Sequence, residues 1–375
     1  MARKTESEQV PSAKTQAQIR SLRSHIDKLD VQIIKLVNER AHLASEIGRI
    51  KNDHGTEVFS PAREEEVYKN VLEANKGPLD ESTIRAIFRE IMSGARALQK
   101  VLKIAYLGPE YSYSHLAAVE RFGQDVEFIR VGSIATVFEE VNRSHVDFGV
   151  VPLENSTDGG VSDTLDMFMR LPQLKICAEV RLRIHHNLLA NCEQEMIRRV
   201  YSKPQALAQC RNWLSKNLPH ADLKEVSSTA VAAQLAQQEP GAAAVASRIA
   251  AIRYNLRILF GDIEDYPHNE TRFAVIGQQE PARTGHDKTA IMFRLPHNPG
   301  ALAEVLHIFK QNKLNLTWIE SYPAKMNKPA YIFFVDFEGH IEDPKVKRAM
   351  HSLEAKCEQM TVLGSFPMAQ VVAEG

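Results

Sequence analysis

A hydroxyl, a guanidinium and an aromatic ring stand side by side at residues 271–273, within the stretch PHNETRFAVIG. The apolar residues that follow predict a strand, so the trio lies where a loop enters that strand. A threonine hydroxyl beside an arginine could donate a proton or hydrogen bond to a departing hydroxyl while the cation pairs with a carboxylate. The plainer alternative, a threonine that only begins a strand, stays open for Thr271 taken alone.

A second group of charged residues belongs to a stretch that predicts only helices. Apolar residues recur at spacings of 3 and 4 between Ile19 and Ile50, and this repeat requires an apolar residue where the sequence has Arg40. A buried guanidinium needs an anion, because an unpaired buried charge is costly. Lys51 lies about three helical turns further along the same face, whereas Arg23 lies off that face and would serve a partner subunit's pocket better.

Further polar residues mark the ends of the next two predicted helices. Ser60 and Pro61 predict the start of the second helix, whose first turn carries Arg63 and Glu64, and Gln99 ends the third. With the residues of the first helix, they offer several cations, one carboxylate and one amide, but no nucleophile. Such a set suits a small dianion that rearranges without covalent catalysis. A salt-bridged bundle that serves oligomerisation is the alternative.

The secondary-structure pattern divides the chain into a tail and three segments. Residues 1–18 are polar and predict a flexible tail, 19–102 a three-helix bundle, 103–280 an alternation of strands and helices, and 288–368 a βαββαβ ferredoxin-like sandwich. The first helix is too long for two shorter helices to cover. We therefore expect an intertwined homodimer, which could become a tetramer if the last segment also pairs.

In the middle segment, polar clusters fall where α/β folds bind their ligands. Alternating strands and helices predict parallel sheets, whose ligands bind at strand carboxyl ends and helix N-termini. The clusters at those points are SYSH (112–115), EN (154–155), SKPQ (202–205) and SST (227–229). Each could instead merely cap a helix. The segment has neither a nucleophile–base pair nor a metal-ligand set, which disfavours covalent or metal catalysis.

Composition excludes several function classes. Lys and Arg total 46 against 47 Asp and Glu, without a basic block, which argues against nucleic acid as a partner. No apolar run approaches a membrane span, and the polar start does not resemble a signal peptide. Four dispersed cysteines without CxxC favour a reduced cytoplasm. His185 and His186 would point to opposite faces of a strand, so we expect an ordinary structural role for them and no metal site.

The helical segment resembles the all-helical chorismate mutases, in LRSHIDKLDVQIIKLVNER, EIGRIK, FSPAREEEV and the closing ALQ. The resemblance implies that Lys51 and Gln99 bond the ether oxygen whose C–O bond breaks, and that Glu64 takes the ring hydroxyl. Ser60 stands where some members have Asp, and Ala95 where many have Ser. The substrate-binding set implied by the resemblance is Arg23 of the neighbouring subunit, Arg40, Ser60, Arg63 and Ala95.

The middle segment resembles prephenate dehydratase in five ordered motifs: LGPEYSYSHLAA, VPLENSTDGGV, YSKPQALAQC, SSTAVAA and NETRFAVIG. The resemblance implies a two-lobed α/β fold, like that of periplasmic binding proteins, and a required hydroxyl at Thr271. Prephenate would lose water and CO2, driven by ring aromatisation. Tyr111 replaces the usual glycine before SYSH. The positions implied to line or support the cleft are Ser112, Glu154, Asn155, Ser202, Gln209, Ser228, Thr229, Arg272 and Phe273.

The last segment resembles an ACT domain, in PGAL (299–302) and IESYP (319–323). Gly300 at a helix start lets a ligand approach free N–H groups. Tyr322 stands where most relatives have Arg. A dimerising module without a ligand is the alternative. The resemblance implies a site for L-phenylalanine, formed by Asn298, Pro299, Gly300, Ala301, Leu302, Glu320 and Ser321.

Together, the three resemblances identify the chain as a member of the bifunctional chorismate mutase–prephenate dehydratase family. It would convert chorismate to prephenate and then to phenylpyruvate in L-phenylalanine biosynthesis, without a cofactor and with feedback by L-phenylalanine. One alternative keeps the dehydratase and makes the helices a non-catalytic assembly domain. A non-enzyme alternative is a small-molecule binding module coupled to an amino-acid sensor. Thr271 distinguishes the enzyme from the binding module, because a pure binding module needs no proton donor at this position.

Overall fold

The computed structural model describes residues 13–53, 58–157, 159–324 and 330–372. The chain forms two units, the first made of Met1–Val58 with Gly94–Lys100 and the second of Phe59–Ser93 with Val101–Gly375. Within the described residues, no helix has the length and apolar character needed to cross a membrane.

The first helix, α1, spans Ala13–Asp53. It begins before the boundary predicted at residue 19, because the run AKTQAQ contains neither Gly nor Pro and continues the helix. Residues 1–12 of the predicted tail lie outside the described residues. Most of the large apolar side chains of the predicted stripe are more than half exposed, among them Leu22 at 66% and Leu36 at 64%.

Two shorter helices complete the helical segment, α2 at Pro61–Ala74 and α3 at Glu81–Ala97. As predicted, Ser60 caps α2, where its side chain accepts a hydrogen bond from the N–H of Arg63. The helix α3 ends before the predicted residue 102, because the N–H groups of Gln99 and Lys100 both bond the Arg96 carbonyl and close the last turn.

The middle segment folds into two sheets with helices around them. The first lobe contains β1 (Lys103–Leu107), α4 (Tyr113–Phe122), β2 (Glu127–Val131), α5 (Ile134–Asn142), β3 (Phe148–Asn155), β4 (Gly159–Gly160), α6 (Ser162–Arg170) and β5 (Lys175–Arg183). The second lobe contains β6 (Asn187–Ala190), β7 (Arg199–Ser202), α7 (Pro204–Gln209), α8 (Arg211–Asn217), β8 (Asp222–Glu225), α9 (Thr229–Gln238), β9 (Ala242–Ala246), α10 (Arg248–Arg253) and β10 (Arg257–Phe260). The chain then returns to the first lobe as β11 (Glu270–Gly277).

Neither sheet is purely parallel, which corrects the expectation from the alternating pattern. In the first lobe β1 pairs in parallel with β2 and β3, whereas β11 lies antiparallel to both β3 and β5. In the second lobe β7 is parallel to β8 and β9, whereas β6 is antiparallel to β9 and β10. The reversal arises because the chain crosses between the lobes twice, at residues 184–186 and 261–269. The β11 strand therefore re-enters the first lobe from its cleft end.

The last segment has the predicted βαββαβ order: β12 (Asp287–Arg294), α11 (Ala301–Gln311), β13 (Leu316–Ala324), β14 (Ala330–Glu338), α12 (Pro344–Glu354) and β15 (Gln359–Pro367). Its antiparallel sheet runs β13-β14-β12-β15, the ferredoxin-like arrangement. One face shares a core with α11 and α12, and residues of the other face belong to the core of the first lobe. Both faces of this sheet are therefore covered.

Two features attach the last segment closely to the first lobe. A Cβ on Gly364 of β15 would lie 2.3 Å from the carbonyl oxygen of Ile176 in β5, so only glycine permits this backbone approach. Beyond the predicted boundary at residue 368, the strand β16 (Val371–Val372) pairs in parallel with β5. The chain thus leaves the first lobe after β11 and returns to its sheet near the end.

Candidate active sites

The first elements of the candidate dehydratase site are the paired ends of β3 and β11. Thr271 lies opposite Asn155, and Arg272 lies opposite Glu154. Directly opposite residues share one face of a sheet and successive residues alternate. Thr271 and Asn155 therefore share one face while Arg272 and Glu154 share the other. The register shifts between Arg272 and Phe273, an irregularity of the kind that re-aims side chains beside functional sites.

The hydroxyl of Thr271 is oriented by an amide. Asn155 Nδ2 donates to Thr271 Oγ1 over 2.8 Å and also lies 3.1 Å from Asn269 Oδ1. In the first bond the threonine oxygen is the acceptor, so its own proton can be donated elsewhere. That Thr271 donates this proton to a leaving hydroxyl stays a prediction.

The polar network continues into the second lobe. Asn269, which is 1% exposed, donates through Nδ2 to Gln209 Oε1 over 2.9 Å. Gln209 Nε2 donates to Thr157 Oγ1 over 2.7 Å, and the Thr157 N–H and hydroxyl both donate to Asn155 Oδ1. Sequence reasoning singled out Asn155 and Gln209 but missed Asn269 and Thr157. Their positions could have identified them, because Asn269 lies in the motif NETRFAVIG and Thr157 lies in VPLENSTDGGV.

His186 extends this network at the connection between the lobes. Its Nε2 lies 2.8 Å from Gln209 Oε1, an acceptor, so Nε2 carries the hydrogen. Its Nδ1 is buried and has no hydrogen-bond partner among the described residues. Burial lowers the pKa of His186, and the ring is neutral near pH 7. His186 therefore contacts Gln209, one of the predicted site residues.

The neighbouring histidine belongs to a separate group that could hold a metal ion. One ligand atom each from His185, Asp262 and Glu264 lies within 4.8 Å of the others. His185 Nδ1 is 2.8 Å from Glu264 Oε1 and 3.5 Å from Asp262 Oδ1. Arg248 Nη2 is 3.6 Å from the same Asp262 oxygen, so a protein cation already approaches the group.

Most of the predicted serines act on the backbone. Ser112 caps α4 and donates to the Leu107 carbonyl, and Ser228 caps α9. The capping alternative is therefore confirmed for Ser112 and Ser228. As caps, both also lie at helix N-termini, where α/β folds bind their ligands. Ser202 is buried and donates to the Val245 carbonyl over 2.6 Å. Thr229 begins α9 and is half-buried.

The other two residues of the TRF motif face protein groups. Phe273 is 1% exposed and belongs to the apolar core of the first lobe. Arg272 is 7% exposed. Its guanidinium approaches Glu154 at 3.2 Å and Glu179 at 3.4 Å and donates to Asp336 of the last segment. These partners differ from the substrate carboxylate that the sequence predicted.

Among the candidate mutase residues of the first unit, Gln99 lies against α1 at a glycine. A Cβ on Gly48 of α1 would lie 2.4 Å from Gln99 Cγ, so the Gln99 side chain packs directly on this helix. Lys51 is three residues further, on the same face. The Gln99 Oε1 is buried without a hydrogen-bond partner among the described residues. Ala95 is buried, Arg40 and Lys51 are half-buried, and Arg23 is exposed.

The remaining mutase candidates belong to the second unit, where each has a protein partner. Arg63 Nη1 pairs with Glu66 at 2.5 Å on an exposed surface. Glu64 is 7% exposed and accepts a hydrogen bond from Arg121 Nη1 over 2.8 Å. That the residues of the two units converge on chorismate stays a prediction.

The candidate effector residues divide between a loop and a strand. Gly300 has a left-handed backbone (φ 85°) before α11, and a Cβ there would meet nothing within 4 Å, so the space beside this helix start is open. Ser321 is exposed on β13. Glu320 has its Oε2 3.4 Å from the Gly160 N–H of β4 and so faces the first lobe.

Comparisons with known proteins match both enzymatic segments. The family model for chorismate mutase type II matches residues 22–100 and that for prephenate dehydratase matches residues 104–281. A bifunctional chorismate mutase/prephenate dehydratase of Pseudomonas aeruginosa is 43% identical over 361 residues, which cover 94% of this chain and 99% of that protein.

Solved structures match about seven tenths of the chain. Prephenate dehydratase from Arthrobacter aurescens in complex with L-Phe superposes with a TM-score of 0.66 and 34% identity, covering 73% of this chain and 93% of that one. GqqA, described as a novel type of quorum-quenching acylase, has a TM-score of 0.64 and 29% identity, covering 71% of this chain and 98% of that one. Because these two described activities differ, the shared fold does not by itself fix the chemistry.

Proposed function

The chain belongs to the family of bifunctional chorismate mutase/prephenate dehydratases, and from this premise we propose that each of its two reactions uses a separate set of side chains. The enzyme rearranges chorismate to prephenate and converts prephenate to phenylpyruvate in phenylalanine biosynthesis. Both the assembly-domain alternative and the non-enzyme alternative are set aside, because both family models and a full-length bifunctional relative match.

For the dehydratase reaction, Thr271 is the hydrogen-bond or proton donor to the hydroxyl that leaves prephenate. The observation that carries this assignment is the 2.8 Å bond in which Asn155 donates to Thr271 Oγ1, so that the threonine proton is left for another acceptor. As the carboxylate leaves as CO2, its bonding electrons enter the ring and expel the hydroxyl, which departs as water with the donated proton. The ring becomes aromatic in the same process.

Amide side chains support this step. A free threonine hydroxyl is a weak acid, so it must be placed accurately and its developing alkoxide must be stabilised. Asn155 Nδ2 already points at that oxygen, and Asn269 and Gln209 hold the asparagine in place. Because Gln209 belongs to the second lobe, the two lobes contribute to one site.

The test is removal of the Thr271 hydroxyl with little change in shape. Thr271→Val in the full chain should lower phenylpyruvate formation from prephenate by about a hundredfold or more, while chorismate loss stays unchanged. Thr271→Ser keeps a hydroxyl and is the matched control, with most activity retained. Full dehydratase turnover by the valine variant would refute the assignment of Thr271.

For the mutase reaction, we propose that Arg40, Arg63 and the partner subunit's Arg23 bind the two carboxylates of chorismate, with Ser60 and Ala95 at the pocket. Lys51 and Gln99 stabilise the ether oxygen as its bond breaks, and Glu64 takes the ring hydroxyl. The packing of Gln99 on Gly48 supports this assignment, because it brings an amide to the helical turn that carries Lys51. A pericyclic rearrangement needs only a compact conformer and charge stabilisation.

The long helix α1 supports a homodimer. Its apolar stripe stays exposed within one chain, and a patch of that size is normally covered by protein. A second copy can present the same stripe to it, as in any two-fold interface. That arrangement also brings Arg23 of one protomer to the other's site, as the mutase assignment requires.

The last segment is proposed to be an ACT domain that binds L-phenylalanine. The Arthrobacter dehydratase, which matches 73% of this chain, was solved with that amino acid bound. The exposed loop at 298–300 leads into α11, whose N-terminus is a usual seat for a carboxylate, and Glu320 and Ser321 lie on β13. We expect added phenylalanine to lower phenylpyruvate formation and to raise the thermal midpoint of the protein, as a bound ligand does.

A further inference from the structure

The loop between β1 and α4 in the first lobe contacts a helix of the second lobe. Tyr111 lies in this loop, and Arg253 is the last residue of α10. The guanidinium carbon of Arg253 lies over the Tyr111 ring, 5.3 Å from its centre. A guanidinium within about 6 Å of an aromatic face is attracted by the negative charge of that face. A cation–π contact therefore joins the two lobes at this point.

Tyr111 is held in place by residues of its own lobe. Its N–H donates to His115 Nδ1 over 3.1 Å, and its ring lies edge-on to the histidine ring with the centres 5.6 Å apart. Its φ of 64° lies in the left-handed region, which a residue with a bulky side chain rarely adopts. Such a conformation persists only where the surrounding contacts stabilise it. The loop thus presents the ring to the second lobe at a conformational cost.

Both partners are attached to elements that carry predicted cleft residues. Tyr111 directly precedes Ser112, the residue that caps α4. Arg253 ends α10, which shares an apolar core with α9, and Ser228 caps α9. The contact therefore links two helix N-termini that are predicted to line the cleft, one from each lobe.

This contact differs from the other polar contact made by the same loop region. Tyr113 donates through its hydroxyl to the His185 carbonyl over 2.8 Å, within the crossing at residues 184–186. Arg253 belongs to neither of the two crossings. When two lobes move apart about the segments that connect them, a contact outside those segments has to break. The pair of Tyr111 and Arg253 consequently opposes opening of the cleft.

The Tyr111 ring also has space into which it could turn. A cavity of about 680 Å³ adjoins it, and Tyr106, His115 and Phe128 are among the other residues that line this cavity. Rotation of the ring about its side-chain bonds into this space would end the contact with Arg253. The contact is therefore one that can form and break without unfolding of either lobe.

We propose that Tyr111 and Arg253 form a latch between the lobes, which favours the closed cleft and so strengthens the binding of prephenate. A protein that binds its ligand in the closed form binds it more weakly when less of that form is populated. The inference rests on the proposal that the dehydratase reaction occurs in the cleft between the lobes. It does not depend on the role assigned to Thr271.

The test is a double-mutant cycle in the full chain, measured as initial rates of phenylpyruvate formation. Tyr111→Leu removes the ring and Arg253→Gln removes the charge. Each should raise KM for prephenate by about twofold to fivefold, the effect of losing an exposed cation–π pair. The combined variant should raise KM no further than either single variant, because each change removes the same interaction. We expect kcat to change less than about twofold, since the latch acts on binding.

Conservative variants and a matched control complete the experiment. Tyr111→Phe keeps an aromatic face and Arg253→Lys keeps a cation, so both should retain most of the wild-type affinity. Arg257→Gln alters an arginine of the same lobe that pairs with Glu193 on the surface, and it should leave KM unchanged. Chorismate loss should equal that of wild type in every variant.

Three results would overturn the latch. One is an unchanged KM in both single variants. Another is a set of KM increases that multiply in the combined variant, and the third is a far larger increase for Arg253→Gln than for Tyr111→Leu. The last two would show that Arg253 acts without Tyr111, as a residue that binds substrate itself would. The Thr271→Val test is read separately, because that variant changes kcat and leaves the latch intact.

Discussion

At the level of single residues, the proposed dehydratase chemistry depends on neutral groups whose hydrogen-bond directions are fixed. Gln209 Oε1 accepts from both Asn269 Nδ2 and His186 Nε2, which fixes the tautomer of the histidine. A protonated His186 would place a charge on Nδ1, which is buried and has no partner among the described residues. The network therefore requires this histidine to be neutral.

The pH dependence of stability tests this requirement. Because burial lowers the pKa of His186 below the ordinary histidine value of 6.5, the unfolded state binds more protons at mildly acidic pH than the folded state. The stability contribution of the neutral ring is therefore complete above pH 6.5 and is lost as the pH falls below it. From pH 7 to pH 5, the denaturation midpoint of wild type should fall more than that of His186→Gln.

The control for this measurement is His145→Gln, at an exposed position of the first lobe. The pH dependence of its denaturation midpoint should be that of wild type. Below pH 6.5, wild type should lose at most about 1.4 kcal/mol more stability than His186→Gln for each pH unit of acidification. An equal acid-induced loss of stability in wild type and His186→Gln would contradict the neutral-ring interpretation.

At the level of elements, close approaches between helices and strands decide which side chains meet. Gly48 lets Gln99 pack against α1, and Gly364 lets β15 lie on β5. Glycine in the middle of a helix costs roughly 1 kcal/mol relative to alanine. The presence of Gly48 in α1 is therefore explained by the side chain that packs on it and not by helix formation.

Gly48→Ala should separate stability from mutase activity. The added methyl group favours the helix but requires Gln99 Cγ to move from a site 2.4 Å away. We expect mutase kcat to fall about tenfold or more without loss of helix content by circular dichroism, and with unchanged dehydratase activity. Glu46→Ala, at an exposed position of the same helix, is the control. Full mutase activity in Gly48→Ala would mean that the position of Gln99 does not matter for this reaction.

At the level of the whole molecule, the proposed homodimer should be required for the mutase reaction and not for the dehydratase reaction. The mutase assignment uses Arg23 of a partner subunit, whereas every side chain assigned to the dehydratase site comes from one chain. Combining Leu29→Glu with Leu36→Glu places like charges on the exposed stripe of α1. We expect the mass in light scattering to fall and chorismate loss to be abolished, while prephenate is still converted.

Lys28→Glu, at an exposed position next to the stripe, is the matched control and should keep both the assembly and the mutase activity. Unchanged mass and unchanged chorismate loss in the double leucine variant would show that α1 is not the interface.

The sequence by itself determined the local structure and the identity of the family. Apolar spacing predicted the helical segment and the βαββαβ order, and the motif around Thr271 located a catalytic candidate, because these signals lie within short stretches of chain. Its errors concern relationships across space. Strand direction at β11 and the return of β16 to the first lobe both depend on which segments pack together.

Only the tertiary structure decided what surrounds Thr271. Arg272 and Asp336 are 64 residues apart in the chain, and Asn155 and Thr271 are 116 apart, so no local pattern relates them. The sequence suggested that Arg272 could bind a carboxylate of the substrate. A sequence shows the charge of an arginine but not the carboxylates that lie beside it in the fold. The fold neutralises that charge with three carboxylates, since a buried guanidinium is stable only when it is paired.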